Sequence, residues 1–194
     1  MRIALLLIIA LFLHSCKKGS ANIRESTNSD QNKILIPLEN PTTVGSHLPR
    51  LFSTENEVYL SWVSQNDSSH VLQYSRFKDQ EWSAPEKIAE GNDWFINWAD
   101  FPHIAVNRGD ILTSFLQKSA DGTYTYDVKL NLFSVEEQSW KRNFILHTDN
   151  TQTEHGFVSI LPSETSNFFI TWLDGRNTVG TEMGHDSHSE GAMT

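Results

Sequence analysis

The chain has one cysteine, Cys16, in 194 residues. That scarcity excludes a disulfide framework and leaves no thiol in the body of the chain for catalysis. Basic clusters are missing too. Lys and Arg number 15 against 24 Asp and Glu, a formal charge of −9, and an acidic surface of this kind argues against nucleic acid as a partner. No phosphate-binding loop and no nucleophile elbow occurs. Helical periodicity is absent after the first residues. The one long apolar run, Ile3 to Leu13, has 11 residues, too few to span a bilayer.

What is present begins with that run. It follows Met1-Arg2 and leads into Leu13-His14-Ser15-Cys16, the charged start and apolar stretch of a signal peptide. The ending resembles the bacterial lipobox, which implies a signal over residues 1–15 and a lipidated Cys16 as the mature N-terminus. The expected location is therefore the bacterial cell envelope, with the membrane as a partner through Cys16; an ordinary cleaved signal with an incidental cysteine is the alternative. Residues 16–46 are polar, and such a composition buries too little surface to offset its ordering entropy, so a flexible tether is expected. The patch Ile34 to Leu38 is a candidate first strand.

From residue 47 to 194 the pattern is β throughout. Strand-like runs at Leu48–Ser53, Val58–Val63, Val71–Phe77 and Trp82–Ile88 are separated by turn residues. A second series runs Pro102–Val106, Ile111–Gln117, Asp127–Ser134 and Trp140–Leu146, and a third opens with Gly156–Leu161 and Asn167–Leu173. The second strands align, with an aromatic at Trp62, Phe115 and Trp172, spacings of 53 and 57 residues. Leu72 and Trp82 match Leu130 and Trp140 at the same separation. Four antiparallel strands per repeat of this length predict propeller blades. The fold class expected is all-β, a partial β-propeller of about three four-stranded antiparallel blades. The alternative is a β-sandwich with irregular spacing. Since three blades do not close a propeller and an open fan leaves strand edges unpaired, the sequence is expected to be the N-terminal part of a longer protein.

In an up-and-down meander the connections alternate between two faces. The long segments Glu90–Phe101, Lys118–Tyr126, Thr148–His155 and Asp174–Gly191 then share one face, where binding residues concentrate on a rigid scaffold. Trp94 to His103 is the most unusual of them, with four aromatics, Asp100 and His103 in ten positions. It reads either as a plug between sheets or as a pocket wall.

Trp98-Ala99-Asp100-Phe101-Pro102, Tyr124-Thr125-Tyr126-Asp127-Val128, Thr153-Glu154-His155-Gly156-Phe157-Val158 and Trp172-Leu173-Asp174-Gly175-Arg176 resemble the sialidase-like six-bladed propeller lipoproteins of bacteria. The resemblance spans about Leu48 to Thr194. It implies a glycoside hydrolase with an arginine triad for a substrate carboxylate, an aspartic acid as acid/base and a tyrosine nucleophile paired with a glutamate, outside the usual two-carboxylate scheme. Two departures stand out. The family's first arginine precedes a proline, whereas Pro49 precedes Arg50, and Phe77 occupies a repeat position where aspartate is expected. The third arginine and the nucleophilic tyrosine are expected outside this sequence.

Asp100 is the candidate acid/base, since neighbouring aromatics would desolvate it and raise its pKa; a loop aspartate bonded to local amides is the alternative. Glu154 is the second catalytic candidate, and Arg50, Trp98, Tyr126, His155, Asp174 and Arg176 are candidates for substrate binding. Tyr124 and Tyr126 could stack on a sugar, or simply follow strand alternation. Asp174 and Arg176 form either a ligand clamp or a turn with an internal ion pair. His185 and His188, near Glu182 and Glu190, supply metal-ligand types, but Gly/Ser/His-rich loops are mostly solvated. No metal and no cofactor is expected. Two functions from different classes follow, a sialidase-type hydrolase acting on a glycan or glycoconjugate, and a noncatalytic propeller binding glycan or protein at the same face.

Overall fold

The computed structural model describes residues 35–179. The chain divides into two units, Met1–Leu38 and Glu39–Thr194. Of the first, only residues 35–38 are described. They form no strand, and Leu35, Ile36 and Leu38 are exposed, so the expected first strand does not form there. Pro37 lacks the N–H that a ladder needs.

Among its described residues the second unit is all-β apart from a single 3₁₀ turn at Arg176–Thr178. Its first sheet contains β1 (Ser46–Ser53), β2 (Val58–Asn66), β3 (Ser69–Lys78), β4 (Glu81–Trp82) and β5 (Glu86–Gly91). The second is a four-stranded meander of β6 (Ile104–Asn107), β7 (Asp110–Lys118), β8 (Tyr126–Ser134) and β9 (Ser139–Ile145). The third pairs β10 (His155–Pro162) with β11 (Phe168–Asp174). All the pairings between these strands are antiparallel.

Turn chemistry explains the tight hairpins. Arg108 and Gly109 both have positive φ (53° and 95°) between the paired Asn107 and Asp110, as a two-residue primed turn requires. The run expected as one strand from Trp82 to Ile88 is two pieces, β4 and β5, both paired with β3. Pro85 lies between them and cannot donate to the ladder. Ser75 Oγ instead donates to the Ser83 carbonyl at 2.8 Å, and Ser83 Oγ accepts the Arg76 N–H at 3.0 Å.

Strand alternation sends the two faces of the second sheet into two cores. Ile111 and Phe115 join Tyr59, Val63, Leu72, Tyr74 and Ile88 from the first sheet. Leu112 and Leu116 join Val128, Leu130, Val158 and Ile160, with Ile170 and Trp172 packed alongside. Fully burying one such side chain contributes about 1.5–3 kcal/mol. Within this pattern the three aligned aromatics behave alike. Trp172 packs on the core shared with the second sheet, and Phe115 on the core shared with the first. Trp62, buried on β2, faces away from Tyr59 and Val63, towards Asn40, Ser46 and Pro49. Each ring thus points back towards whatever precedes its own sheet. Trp172 is only half-buried, a difference from the other two rings.

Polar side chains tie the sheets together. Asn107 Nδ2 donates to the carbonyls of Ser163, Thr165 and Asn167 at 2.6–3.2 Å, seating the β10–β11 turn on the second sheet. Arg142 Nε donates to the Ile88 carbonyl at 2.6 Å, joining the second sheet to the first.

Candidate functional site

The long connections meet at one end of the sheets through backbone bonds. Phe95 N–H donates to Leu116 O and Lys118 N–H to Asp93 O, while Tyr126 N–H donates to Thr153 O and Gly175 N–H to Glu154 O. The segments before β6 and β10 are therefore stitched to the ends of β7, β8 and β11. This fixes side chains that are far apart in sequence.

The first strands share a further feature. β1 and β10 each carry a bulge after the pairs His47–Val63 and Gly156–Leu173, with Leu48 and Phe157 at positive φ (54° and 49°). Two residues beyond these lie Arg50 and Ser159, opposite Ser61 and Thr171. His103 holds the corresponding place before β6, bonded through its backbone to Ser114. The bulges re-aim the strand ends, and an open cleft of about 240 Å³ forms there. Arg50, Asp100, Phe101, His103, Phe157 and Val158 line it.

Asp100 is the buried carboxyl of this cleft. Burial raises its pKa above the ordinary carboxylate range. The Phe157 N–H, donated to Oδ2 at 2.7 Å, opposes the shift, and the nearby charge of Glu154 adds to it. Gly156 makes the placement possible, since a Cβ there would collide with Asp100 Oδ2 and press on Tyr126. His103 is pushed down to about 4, first by burial and then by the Arg50 charge. It is a neutral imidazole at pH 7.

Beside the cleft, Tyr126 Oη donates to Glu154 Oε1 at 2.5 Å. The phenol is held well above its usual pKa by burial, by this bond and by the charges of Glu154 and Asp100. Phe95 stacks on its ring at 4.2 Å, nearly parallel. The Tyr126 ring is buried beneath Phe95, the position that strand alternation gives it.

A second cluster lies in the neighbouring loop. The His147 and His155 rings stack at 3.7 Å and 8°. Asp149 serves both, with Oδ1 2.7 Å from His147 Nδ1 and Oδ2 3.2 Å from His155 Nε2. Burial would raise the Asp149 pKa, but hydrogen bonds from Thr151, His147 and the backbone overcome that and lower it. Asp174 Oδ1 stands 3.5 Å from His155 Nε2. Arg176 takes Asp174 in a two-point contact, which leads the causes that hold the Asp174 carboxyl low. Asp127 Oδ1 lies 3.7 Å from His147 Nε2. Burial, then the His155 charge, holds His147 below its usual pKa. Two overlapping sets, Asp127/His147/His155 and Asp149/His155/Asp174, have the donor types and spacing to hold a metal ion.

The structure therefore divides the expected site. Asp100, Glu154 and Arg50 gather at the cleft and its flank. His155 is fully buried and belongs, with Asp174 and Arg176, to the second cluster; for Asp174 and Arg176 the turn with an internal ion pair is the arrangement adopted. Trp98 is 85 % exposed. Trp94 is instead a plug, packed 4.2 Å from Phe115. Cys16, His185 and His188 lie outside the described residues. Sequence reasoning passed over His103, although Leu48-Pro49-Arg50 and Phe101-Pro102-His103 repeat the same spacing. It also passed over Asp127, and over His147 and Asp149, whose signal was four His and acidic residues from His147 to His155. Compared with protein families, curated proteins and solved structures, the chain has no match.

Proposed function

We infer that this chain is part of a sialidase-type β-propeller hydrolase, acting on acidic glycans or glycoconjugates at the bacterial envelope. One observation carries the reading: a buried carboxyl with a raised pKa, Asp100, shares a cleft with the guanidinium of Arg50. A general acid needs its proton near neutral pH, and burial helps Asp100 keep it. Glu154 assists by its charge, since a second anion nearby disfavours ionisation of Asp100. Arg50 offers a cation to the carboxylate of an acidic sugar. In the reaction, Asp100 gives its proton to the glycosidic oxygen as that oxygen's bond to the anomeric carbon breaks, and water supplies the oxygen that replaces it on the carbon and the proton that restores Asp100. The propeller reading is supported by consecutive antiparallel sheets whose aligned aromatics all face the same way along the series.

Turnover of a fluorogenic sialoside panel by the full-length protein tests this. Asp100→Asn is expected to lower kcat by about 10²–10⁴-fold with the fold intact. Wild-type turnover in that variant would remove the acid/base assignment. A noncatalytic glycan-binding propeller is favoured by a different observation, the Phe157 N–H on Asp100, which gives that carboxylate a structural duty. Retained glycan binding without turnover of any panel member would select it.

The envelope location rests on the lipobox-like Leu13-His14-Ser15-Cys16. Cys16→Ser is expected to abolish lipidation and partition into the membrane fraction. Unchanged mass and fractionation would reject the anchor.

A further inference from the structure

We propose that the backbone of Gly156 and Phe157 is the positioning element for Asp100: it fixes Oδ2 as the accepting oxygen and leaves Oδ1 to carry and give up the proton. This role rests on the hydrolase reading above and names the atom which that reading requires.

The surroundings of the carboxyl separate its two oxygens. The Phe157 N–H donates to Oδ2 at 2.7 Å. Oδ2 also lies over the bare Cα of Gly156, where a Cβ would collide with it. Tyr126 Cε2 stands 3.3 Å or closer to nothing else there, at 3.1 Å from that same Cβ position, so a buried ring edge closes the corner. An un-ionised carboxyl offers one O–H and keeps its acceptor capacity chiefly on the other oxygen. The oxygen that takes the amide N–H is therefore the carbonyl, and the proton belongs on Oδ1. No hydrogen bond engages Oδ1 among the described residues. Asp100 is 5 % exposed and lines the cleft; with Oδ2 turned into β10, that opening falls to Oδ1.

Phe157 holds a left-handed φ of 49°, which a bulky side chain adopts only under constraint. Leu48 makes the matching bulge on β1, yet no side chain accepts its N–H among the described residues. The bulge thus belongs to the fold, and the third sheet puts it to use by aiming an amide at the carboxyl buried in the cleft. One side chain then serves two ends. Oδ2 anchors it, while Oδ1 gives its proton to the glycosidic oxygen as that oxygen's bond to the anomeric carbon breaks. Water supplies the replacing oxygen and the proton that returns to Oδ1. The negative charge left on the carboxylate meets a donor already in place at Oδ2.

The test uses the full-length protein, with Phe157→Gly and Phe157→Val compared. Both lose the ring, so any effect of that wall on KM is common to the two. Glycine takes the left-handed φ freely, whereas a β-branched residue resists it. The kcat of Phe157→Gly should exceed that of Phe157→Val by about tenfold or more. The basic limb of the kcat–pH profile should lie higher in Phe157→Val, because the lost amide favours the charged carboxyl. Glu154, Arg50, His103 and Tyr126, the other ionisable groups about Asp100, are unaltered in both variants. Gly156→Ala should displace the carboxyl and lower kcat by about 10²-fold, with circular dichroism unchanged. Independently of turnover, the Phe157 amide proton of wild type should shift in NMR as Asp100 ionises, and Asp100→Asn should abolish that shift. Matching kcat and pH profile in the two Phe157 variants, or an amide indifferent to Asp100, would overturn the assignment while wild-type hydrolysis left the reading above standing. Absence of wild-type turnover on every sialoside, with the amide still titrating, would instead remove the hydrolase reading, and this proton-giving role with it.

Discussion

The cleft and the histidine cluster lie in neighbouring loops, yet they treat ionisable groups in opposite ways. At the cleft, Arg50 is exposed, His103 is neutral, and Asp100 has one backbone donor. In the cluster, Asp149 is bonded to two imidazoles, a hydroxyl and a backbone amide, and Asp174 is gripped by Arg176. A carboxyl short of partners in a dry place keeps its proton and has chemistry to offer. One saturated with donors stays ionised and holds structure together. The comparison teaches that the number of donors around a carboxylate, more than its burial, separates a candidate acid from a structural anchor.

The sharpest way to break this contrast is to remove the anchor. Asp149→Ala takes the shared acceptor away from two buried rings, and about 1–3 kcal/mol of stability should be lost in denaturant unfolding. A loss below 1 kcal/mol would mean that the cluster is not structural.

The next test concerns pH. His103 has a folded pKa of about 4 against 6.5 for the ordinary side chain, so between those values the unfolded chain binds more protons. Its contribution to stability is complete above pH 6.5 and is lost as pH falls towards 4. The pKa gap corresponds to roughly 3 kcal/mol. Arg50 disfavours the charged ring, and burial raises the pKa of Asp100 across the same cleft, so that carboxyl opposes the effect less than an ordinary one. His103→Gln should flatten the unfolding free energy between pH 4 and 6.5; an unchanged slope would show that His103 titrates normally.

Least in energy is Trp98→Ala. An exposed ring without packing partners should change stability by no more than about 0.5 kcal/mol. If the cleft binds glycan, this variant should still weaken binding, because the loss of a stacking face does not depend on the fold. Glycan-array signals equal to wild type would take Trp98 out of the binding surface.

The strands were legible because alternation and turn residues act locally. The expected second strands, Val58–Val63, Ile111–Gln117 and Asn167–Leu173, fall within or beside β2, β7 and β11 to within a residue or a few. Where legibility failed locally, one residue explains it, as Pro85 does between β4 and β5. The site was half legible. A carboxylate among aromatics marked Asp100, and loop length marked the right end of the sheets.

By itself, then, the sequence determined the all-β class, the order and bounds of most strands and the recurrence of an aromatic at Trp62, Phe115 and Trp172. Those properties come from side-chain period and backbone freedom, which neighbours in the chain dictate. Only tertiary structure decided that Arg50 and His103 share a cleft with Asp100, that Phe95 covers Tyr126, and that His147 stacks on His155. Each of these pairings spans separate elements. Register, bulges at Leu48 and Phe157, and the bare Cα of Gly156 set them, and none of those quantities is visible until the strands have paired.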